Sequence, residues 1–259
     1  LLATAGYDGT VRLYDPVGGQ ELRSLQAHTG FARSVTFSPD GRTLASVGYD
    51  GLLRWWDPRT GGAVAELRVP GVPALRRVAY SPDGRRIAVA GGDGRVRLWT
   101  TADRVPGPVV EVSGELAGLA FSPDGRTLAA SSMNGTIALI DPGEGTVEAR
   151  LSRSSQGVYT VRWSSDGRLL AATGDDSVVA VWDTKLRRPV ILFRTTQSVM
   201  AADFSTDART LIFGDSDTAL GVPLLEAFDA PAPDPARLQS QAEADAGLRL
   251  SGFLLVPAR

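Results

Sequence analysis

The sequence predicts an all-β protein, a β-propeller of four-stranded antiparallel blades followed by a short C-terminal helix and a hairpin tail. Three observations predict the propeller: a repeat of about 42 residues, turn motifs at fixed places in each repeat, and short strand-like segments between them. A single such sheet is apolar on both faces and needs neighbours. The repeated sheets are therefore expected to pack against one another in a ring.

Two independent markers define the repeat. Ser38-Pro39-Asp40-Gly41 recurs at 81–84 and 122–125, then decays to Ser-Ser-Asp-Gly at 164–167 and Ser-Thr-Asp-Ala at 205–208. Its aspartates, at 40, 83, 124, 166 and 207, are separated by 43, 41, 42 and 41 residues. A mostly aromatic marker at 14, 56, 99, 140 and 182 keeps spacings of 42, 43, 41 and 42. Two markers in one register over five units indicate a true repeat.

The second repeat shows how one unit is built. Arg33–Phe37 predicts a strand that ends in the Ser-Pro-Asp-Gly turn, where proline presets φ and glycine takes the left-handed position. Thr43–Val47 is the returning strand, and Asp50-Gly51 forms the next tight turn. Leu52–Trp56 and Ala63–Leu67 supply the third and fourth strands. Four short strands in each repeat predict one propeller blade.

Short motifs in the third strand carry a family resemblance. Trp56-Asp57 and Trp182-Asp183 form a Trp-Asp dipeptide, whereas Tyr14-Asp15 and Ile140-Asp141 keep its aspartate and Trp99-Thr100 keeps its aromatic residue. Ala27-His28 stands where a Gly-His dipeptide would be expected. With the repeat length, these motifs make residues 1–224 similar to the WD40 repeat β-propellers. The resemblance implies a protein-interaction scaffold more than a particular chemistry.

The predicted propeller covers 1–224 as a partial first blade, four complete blades and a degenerate sixth. Because the chain opens inside a blade, at Leu1 and not at Met, we expect a piece of a longer polypeptide. Most WD40 rings have seven blades. We therefore favour a sequence that lacks the upstream blades over a six-bladed ring closed by the C-terminal segment. Residues 225–259 predict a tail with a Pro- and Ala-rich linker, a helix from Asp234-Pro235 through Ala246, and a hairpin over 248–256.

Composition and motifs exclude several classes of site. There are no cysteines, so thiolate metal sites and disulfide frameworks are excluded, and the single histidine, His28, excludes any site with two imidazoles. No serine lies in a Gly-x-Ser-x-Gly elbow. The net charge of −2 argues against nucleic acid, and no apolar run approaches the roughly 20 residues of a membrane span. We expect a cytoplasmic protein that is not an enzyme, with no cofactor, no catalytic residue and no membrane partner.

Charged pairs in the sequence have structural interpretations. Asp175-Asp176, and Asp215 with Asp217, lie in turns between strands, where aspartate is favoured for turn formation, so no metal site is predicted. Arg76-Arg77 and Arg187-Arg188 are too short and dispersed for a nucleic-acid footprint. They are predicted to be solvated charges at sheet edges.

The resemblance also implies a structural network. In the family pattern a histidine, a strand serine, a turn aspartate and the strand tryptophan form one buried set, and the matching residues are His28, Ser46, Asp50 and Trp56. A buried imidazole, carboxylate and indole N–H satisfy one another's hydrogen bonds. We therefore expect His28 to be structural.

Aligning the blades predicts a binding rim. The inner strands are aligned on positions 37, 80, 121, 163 and 204. The residues at the starts of these strands then lie at one end of the blades. The residues just before the turn between the second and third strands lie at the same end. These positions are rich in residue types that are enriched at interface cores. The candidate partner-binding rim consists of Tyr7, Phe31, Arg33, Tyr49, Arg76, Met133, Tyr159 and Met200.

Two functions follow from this sequence. The favoured one is a non-catalytic protein- or peptide-binding scaffold or sensor propeller within a bacterial multidomain signalling protein. Resemblance implies upstream domains such as an NTPase or kinase module, and arginine bias, with Lys185 the single lysine among 27 basic residues, is typical of GC-rich bacteria. The alternative is a small-ligand-binding or enzymatic propeller that uses the central channel. The inner strands offer that channel mostly Ala, Ser, Val and Thr.

Overall fold

The structure, a computed structural model, describes residues 1–152, 155–214 and 219–224. Over these residues the chain forms strands only, arranged as six antiparallel sheets. The first and last sheets have three strands and the four between them have four. Sheets of this kind are typical of propeller blades.

Each sheet is built from strands that follow one another along the chain. The first sheet contains β1 (Leu2–Ala5), β2 (Thr10–Tyr14) and β3 (Glu21–Gln26), and the second β4 (Ala32–Phe37), β5 (Leu44–Gly48), β6 (Leu52–Trp56) and β7 (Ala63–Arg68). The third contains β8 (Leu75–Tyr80), β9 (Arg86–Gly91), β10 (Arg95–Thr100) and β11 (Pro106–Glu111), and the fourth β12 (Leu116–Phe121), β13 (Leu128–Ser132), β14 (Thr136–Asp141) and β15 (Thr146–Ser152). The fifth contains β16 (Val158–Trp163), β17 (Leu169–Gly174), β18 (Val178–Asp183) and β19 (Arg188–Arg194), and the sixth β20 (Ala201–Phe204), β21 (Thr210–Gly214) and β22 (Ala219–Pro223).

The all-β prediction is confirmed for the described residues, and the four strands predicted for the second repeat match β4 to β7 within one residue at each end. The number of blades in the native ring and its closure stay predictions. The helix and hairpin predicted for 225–259 lie outside the described residues.

The repeated turn owes its shape to its own side chains. Ser38 Oγ donates to Asp40 Oδ1 at 2.6 Å, and the backbone N–H of Thr43 donates back to Ser38 Oγ at 3.0 Å. Gly41 takes the left-handed conformation, with φ of 67°. In the last repeat Ala208 takes the same conformation, with φ of 58°, although it carries a Cβ. The turn motif therefore dictates the backbone even where its glycine is lost.

Apolar clusters fill the spaces between neighbouring sheets. Leu44 and Trp56 of the second sheet pack with Val11 and Leu13 of the first sheet. Leu53, from the opposite face of the second sheet, packs in the cluster shared with the third sheet. Three further clusters join the third to the fourth, the fourth to the fifth and the fifth to the sixth sheet. The middle sheets are buried on both faces, as the sequence predicted, because each supplies a wall for its neighbours.

The pairing register places two kinds of loop at opposite ends of each sheet. In the second sheet Ala32 pairs with Gly48 and Phe37 pairs with Leu44. The start of the inner strand therefore lies beside the turn at 49–51, and we call this end of the sheets the upper face. The Ser-Pro-Asp-Gly turns lie at the other end, the lower face.

Candidate binding surface

Four polar side chains of the second sheet form one connected network. Trp56 Nε1 lies 3.0 Å from Ser46 Oγ, and Ser46 Oγ lies 2.9 Å from His28 Nε2. On the other side of the ring, His28 Nδ1 lies 2.9 Å from Asp50 Oδ1. The imidazole is fully buried and the Asp50 side chain is 5% exposed. The structure thus brings together all four residues of the expected network.

The donors and acceptors of the network determine where the protons are. An indole N–H only donates and a carboxylate only accepts, so Ser46 Oγ accepts from Trp56, and in a neutral imidazole with its proton on Nδ1 the Nε2 atom accepts from the Ser46 hydroxyl. His28 Nδ1–H then donates to Asp50. Burial lowers the pKa of His28 by more than the bond and charge of Asp50 raise it. The neutral imidazole with its proton on Nδ1 satisfies every group in the chain.

Sequence reasoning missed a fifth member of the network, Arg54 on β6. Arg54 Nη1 donates to the backbone oxygen of Ala27 at 2.7 Å and to Asp50 Oδ2 at 2.8 Å. Burial raises the pKa of Asp50, but the bonds from Arg54 and His28 outweigh it and lower that pKa below its usual value. A signal was present, because an arginine follows the turn aspartate by four residues in three repeats. All three pairs are bonded: Asp8–Arg12, Asp50–Arg54 and Asp93–Arg97.

The inner strands of four sheets carry an irregularity at the same place near their start. In β4 the pairing register shifts between Ala32 and Ser34, and similar shifts occur in β8, β12 and β16. The extra residue of a β-bulge leaves the ladder, and the bulge bends the strand and redirects its side chain. The four skipped residues are Arg33, Arg76, Ala117 and Tyr159. Repeat alignment predicted a shared position for Arg33, Arg76 and Tyr159 but not the bulges.

Five of the eight predicted rim residues meet on the upper face, and we call them the aromatic–arginine patch: Tyr7, Phe31, Arg33, Tyr49 and Arg76. The ring centroids of Tyr7 and Phe31 are 4.8 Å apart, and those of Phe31 and Tyr49 are 5.3 Å apart. Arg33 Cζ lies 5.6 Å from the centroids of both tyrosines, and Arg76 Cζ lies 5.7 Å from that of Tyr49. These are cation–π distances. The patch draws on three sheets, so it depends on their packing.

The patch is open to solvent and its charged groups are held in place. Tyr7 is 70% exposed and Phe31 is 42% exposed. Arg33 Nη1 donates to the Tyr7 hydroxyl at 3.2 Å, while Arg76 forms an ion pair with Glu115. Exposed aromatic side chains grouped in fixed orientations are typical of interaction surfaces.

The other three predicted rim residues lie in the fourth to sixth sheets. Tyr159 donates its hydroxyl to Asp175, and this bond raises the pKa of Tyr159 to about 12. The thioether end of Met133 lies against Gly157, and Met200 is 55% exposed next to β20. Within the described part of the chain, no ring contact or ion pair joins these side chains to the patch. The structure therefore groups five of the eight predicted residues and leaves three apart.

The prediction that Arg76 and Arg77 are solvated edge charges is wrong. The Arg76 side chain is only 21% exposed because it packs on Tyr49 and pairs with Glu115. Arg77 is partly buried, and burial together with the positive charges of Arg33 and Arg162 lowers its pKa to about 10. The inner strands therefore carry arginine side chains in addition to the small side chains, Ala, Ser, Val and Thr, that the sequence predicted there.

A groove of about 530 Å³ opens on the lower face between the second and third sheets. Trp55 and Tyr80 line it, and the Arg104 guanidinium lies 5.3 Å from the Trp55 ring centroid. Each of its carboxylates, Asp40 and Asp83, accepts a hydrogen bond from the hydroxyl of the serine two residues earlier. These bonds lower the pKa values of both aspartates. Both are thus ionised and engaged in turns at neutral pH. The groove has the volume of a small-molecule site but its carboxylates carry no proton to transfer.

The acidic turns were the remaining candidates for metal chemistry. Across 1–152, 155–214 and 219–224, no three His, Cys, Asp or Glu side chains are grouped so that they could hold a metal ion. Asp215 and Asp217 lie outside the described residues. The same ranges contain no helix long and apolar enough to cross a bilayer.

Comparison with known families explains the repeat. The WD40 family, described as "WD domain, G-beta repeat", matches residues 19–57, 70–100, 109–141 and 145–183, more than half of the chain. The protein belongs to the WD40 family. Each match ends one residue after the marker at 56, 99, 140 or 182, so this WD40 protein keeps the family pattern in the second to fifth sheets.

One relative is similar over a single repeat. Nuclear distribution protein PAC1 of Mycosarcoma maydis is 40% identical to this WD40 protein over 44 residues, which is 17% of this chain and 10% of that protein. The aligned part of the chain thus spans about a tenth of the relative's length. A likeness of this extent concerns the repeat, not the role of either whole protein.

Proposed function

We propose that this protein is a non-catalytic WD40 propeller that binds a protein or peptide through the aromatic–arginine patch. The observation that carries the proposal is the convergence of three aromatic rings and two guanidinium groups on the upper face. WD40 repeats typically mediate protein–protein interactions, which agrees with such a surface. Tyr and Arg are enriched at binding hot spots because they combine large contact area with hydrogen-bonding groups.

The two faces of the protein differ in a way that favours binding at the upper one. Loops and turns normally carry polar residues, as the lower face does with the exposed Asp40, Arg42 and Arg85. On the upper face the equivalent loops carry Tyr7 and Phe31, whose rings remain largely exposed. Apolar side chains that stay exposed to water add nothing to the free energy of folding. Covering them with a partner would stabilise the complex, which favours a binding role for this face.

We further propose the setting of this function. The protein would act as a scaffold or sensor in the cytoplasm of a bacterium, within a multidomain signalling protein that has further domains upstream. The excess of arginine over lysine supports a bacterial source, and the net charge of −2 favours a protein partner over nucleic acid or membrane.

The test is a peptide selection followed by matched substitutions. A random peptide library displayed on phage is selected on the immobilised protein, and the dissociation constant of a selected peptide is measured by calorimetry. A hot-spot truncation costs about 2 kcal/mol or more, so Phe31→Ala and Tyr49→Ala should weaken binding ~30-fold. Arg85→Ala on the lower face should leave the dissociation constant unchanged.

Two results would overturn the proposal. Binding that is abolished by Arg85→Ala or Arg42→Ala, and unaffected by Phe31→Ala, would put the interface on the lower face. Failure to select any peptide, together with a small ligand that raises the melting temperature, would favour the small-ligand alternative in the channel or in the lower groove.

A further inference from the structure

The groove on the lower face between the second and third sheets, which we call the lower groove, is lined by side chains that the other repeats lack. Trp55 on β6 pairs with Ala45, and the equivalent positions of the other sheets, 13, 98, 139 and 181, hold leucine or valine. Arg104 reaches the groove from the loop after β10, where Thr100 replaces the aspartate that follows the other four markers. Residues that depart from the repeat in one place indicate a local role, because the shared fold does not require them.

Arg104 already places a guanidinium group in the lower groove. Its Cζ lies 5.3 Å from the centroid of the Trp55 ring, which is a cation–π distance. Its backbone lies in the left-handed region, with φ of 57°, and this conformation is unfavourable for a residue that carries a Cβ. Among the described residues, its guanidinium group bonds no acceptor and pairs with no carboxylate. The chain itself thus shows that the Trp55 ring accepts a guanidinium group, which a strained loop holds there.

The two carboxylates of the lower groove each keep an oxygen available. Asp83 Oδ1 accepts hydrogen bonds from the Ser81 hydroxyl at 2.6 Å and from a backbone N–H at 3.0 Å, and within the described part of the chain its Oδ2 bonds no donor. Asp40 is bonded in the same way, and its Oδ2 lies 3.9 Å from Nε of the exposed Arg42. The turn bonds lower the pKa values of both aspartates, so both are charged at neutral pH. The groove therefore offers ionised acceptors that Arg104 does not use.

We propose that the lower groove binds an arginine side chain of a partner protein, and that Arg104 keeps the groove closed until this arginine replaces it. A guanidinium group stacks on aromatic rings and forms paired hydrogen bonds with carboxylates, so it can use both the Trp55 ring and the oxygens of Asp40 and Asp83. The exposed side chain of Val64 offers apolar surface to the methylene stem. A protein is the expected source because WD40 repeats typically mediate protein–protein interactions.

The lower groove lies at the opposite end of the sheets from the aromatic–arginine patch, so this inference does not depend on the proposed function. The two surfaces share no residue. A ligand of one surface can therefore be distinguished from a ligand of the other by substitutions in each.

The first experiment uses two degenerate peptide pools that differ only at a fixed central position, arginine or citrulline, since citrulline has nearly the same shape but no charge. Arg104→Gly empties the groove and suits the left-handed backbone. The immobilised Arg104→Gly protein should retain the arginine pool about 10-fold above the citrulline pool. The wild-type protein should show a smaller preference, because its own Arg104 competes. Arg104→Ala also empties the groove and should match Arg104→Gly.

The second experiment makes matched substitutions in the Arg104→Gly protein. Asp83→Asn keeps an oxygen for the bonds of its turn but removes the charge, and should reduce the preference for arginine about 5-fold or more. Asp124→Asn makes the same change in the turn of the fourth sheet, away from the groove, and should leave the preference unchanged. Trp55→Leu introduces the residue found at 98 and 139 and should remove the preference.

The outcomes test each part of the proposal. Equal retention of the two pools by Arg104→Gly, or equal losses in Asp83→Asn and Asp124→Asn, would overturn the arginine site. A preference as large in the wild-type protein as in Arg104→Gly would overturn the closure by Arg104. Ethylguanidinium that binds Arg104→Gly as tightly as the arginine pool, measured by calorimetry, would overturn the assignment to a partner protein and favour a free organic cation.

One further variant separates this proposal from the proposed function. Phe31→Ala in the Arg104→Gly protein should leave the preference for arginine unchanged, because Phe31 lies on the upper face. Loss of the preference in this variant would overturn the lower groove as the arginine site. A peptide that is weakened by Phe31→Ala and not by Asp83→Asn reports on the patch alone, so either surface can fail while the other is confirmed.

Discussion

The second and fifth sheets both bury a tryptophan at the same position of their third strand but surround its indole N–H differently. In the second sheet Trp56 Nε1 donates to Ser46 Oγ, which is bonded to His28. In the fifth sheet Trp182 occupies the position of Trp56, but Ala172 stands where Ser46 does, and Trp182 Nε1 is buried with no hydrogen-bond partner in the protein. One sheet has a complete polar network, and the other keeps only its tryptophan.

The difference shows which interactions the fold requires. The Trp182 ring is 4% exposed and packs in the apolar cluster between the fourth and fifth sheets, so burial alone is enough to hold it. The network is an addition made in the second sheet. It ties the segment before β4 to the turn that carries Tyr49, and the N–H of Tyr49 bonds the oxygen of Phe31 at 3.0 Å. The sheet that supplies most of the aromatic–arginine patch is also the one braced by polar contacts.

The largest expected effect comes from removing the centre of the network. Asp50→Ala deprives both His28 Nδ1 and Arg54 of their shared acceptor, and leaves the partly buried Arg54 with the exposed Glu66 as its carboxylate partner. We expect the free energy of unfolding to fall by about 3 kcal/mol in chemical denaturation. Asn134→Ala changes the matching turn of the fourth sheet, where the side chain is exposed and has no histidine partner, and should cost less than about 1 kcal/mol. Equal losses in the two variants would show that the network contributes nothing.

A smaller effect, of opposite sign in the two sheets, comes from removing one buried hydroxyl from the second strand of each sheet. Ser46→Ala leaves the indole N–H of Trp56 and Nε2 of His28 without a partner, and should cost about 1–2 kcal/mol. Thr173→Val removes a buried hydroxyl that bonds nothing and keeps the shape of the side chain, so stability should rise by up to about 1 kcal/mol. Urea denaturation of both variants measures the contrast. A loss of stability in Thr173→Val would mean that its hydroxyl is bonded in solution.

Sequence and structure agree where local chemistry decides the outcome. The Ser-Pro-Asp-Gly turns and the strand positions follow from motifs whose residues lie close in the sequence and repeat with it, whereas the four-residue network was implied by the family resemblance. Arg54 was missed although its spacing from Asp50 recurs in three repeats, because an arginine on a strand can equally be a solvated residue. The lowered pKa of Arg77 could not be predicted, because it depends on burial and on the charges of Arg33 and Arg162 in other sheets. Such contacts between sheets leave no trace in the spacing of one repeat.

The smallest effect is a pH dependence that should belong to the second sheet alone. His28 is the single histidine and there is no cysteine, so between pH 7 and 5 His28 is the side chain expected to titrate. Its pKa in the folded protein is below the ordinary 6.5, because burial outweighs the pull of Asp50 and Arg54 adds positive charge. Below pH 6.5 the unfolded chain therefore binds a proton that the folded protein does not.

Stability should accordingly decrease as the pH falls below about 6.5, with a slope of at most about 1.4 kcal/mol per pH unit. The pKa of Asp50 is also lowered, but its contribution is lost only near and below the ordinary 3.8, so the two effects occupy separate pH windows. Denaturation curves measured from pH 5 to 7 should show the slope in the wild-type protein and none in His28→Gln. Since Thr173 lies in the fifth sheet and the single histidine belongs to the network of the second, Thr173→Val should keep the wild-type slope. A protein that becomes more stable on acidification would instead carry a charged His28 paired with Asp50, and the neutral network described for the second sheet would be wrong.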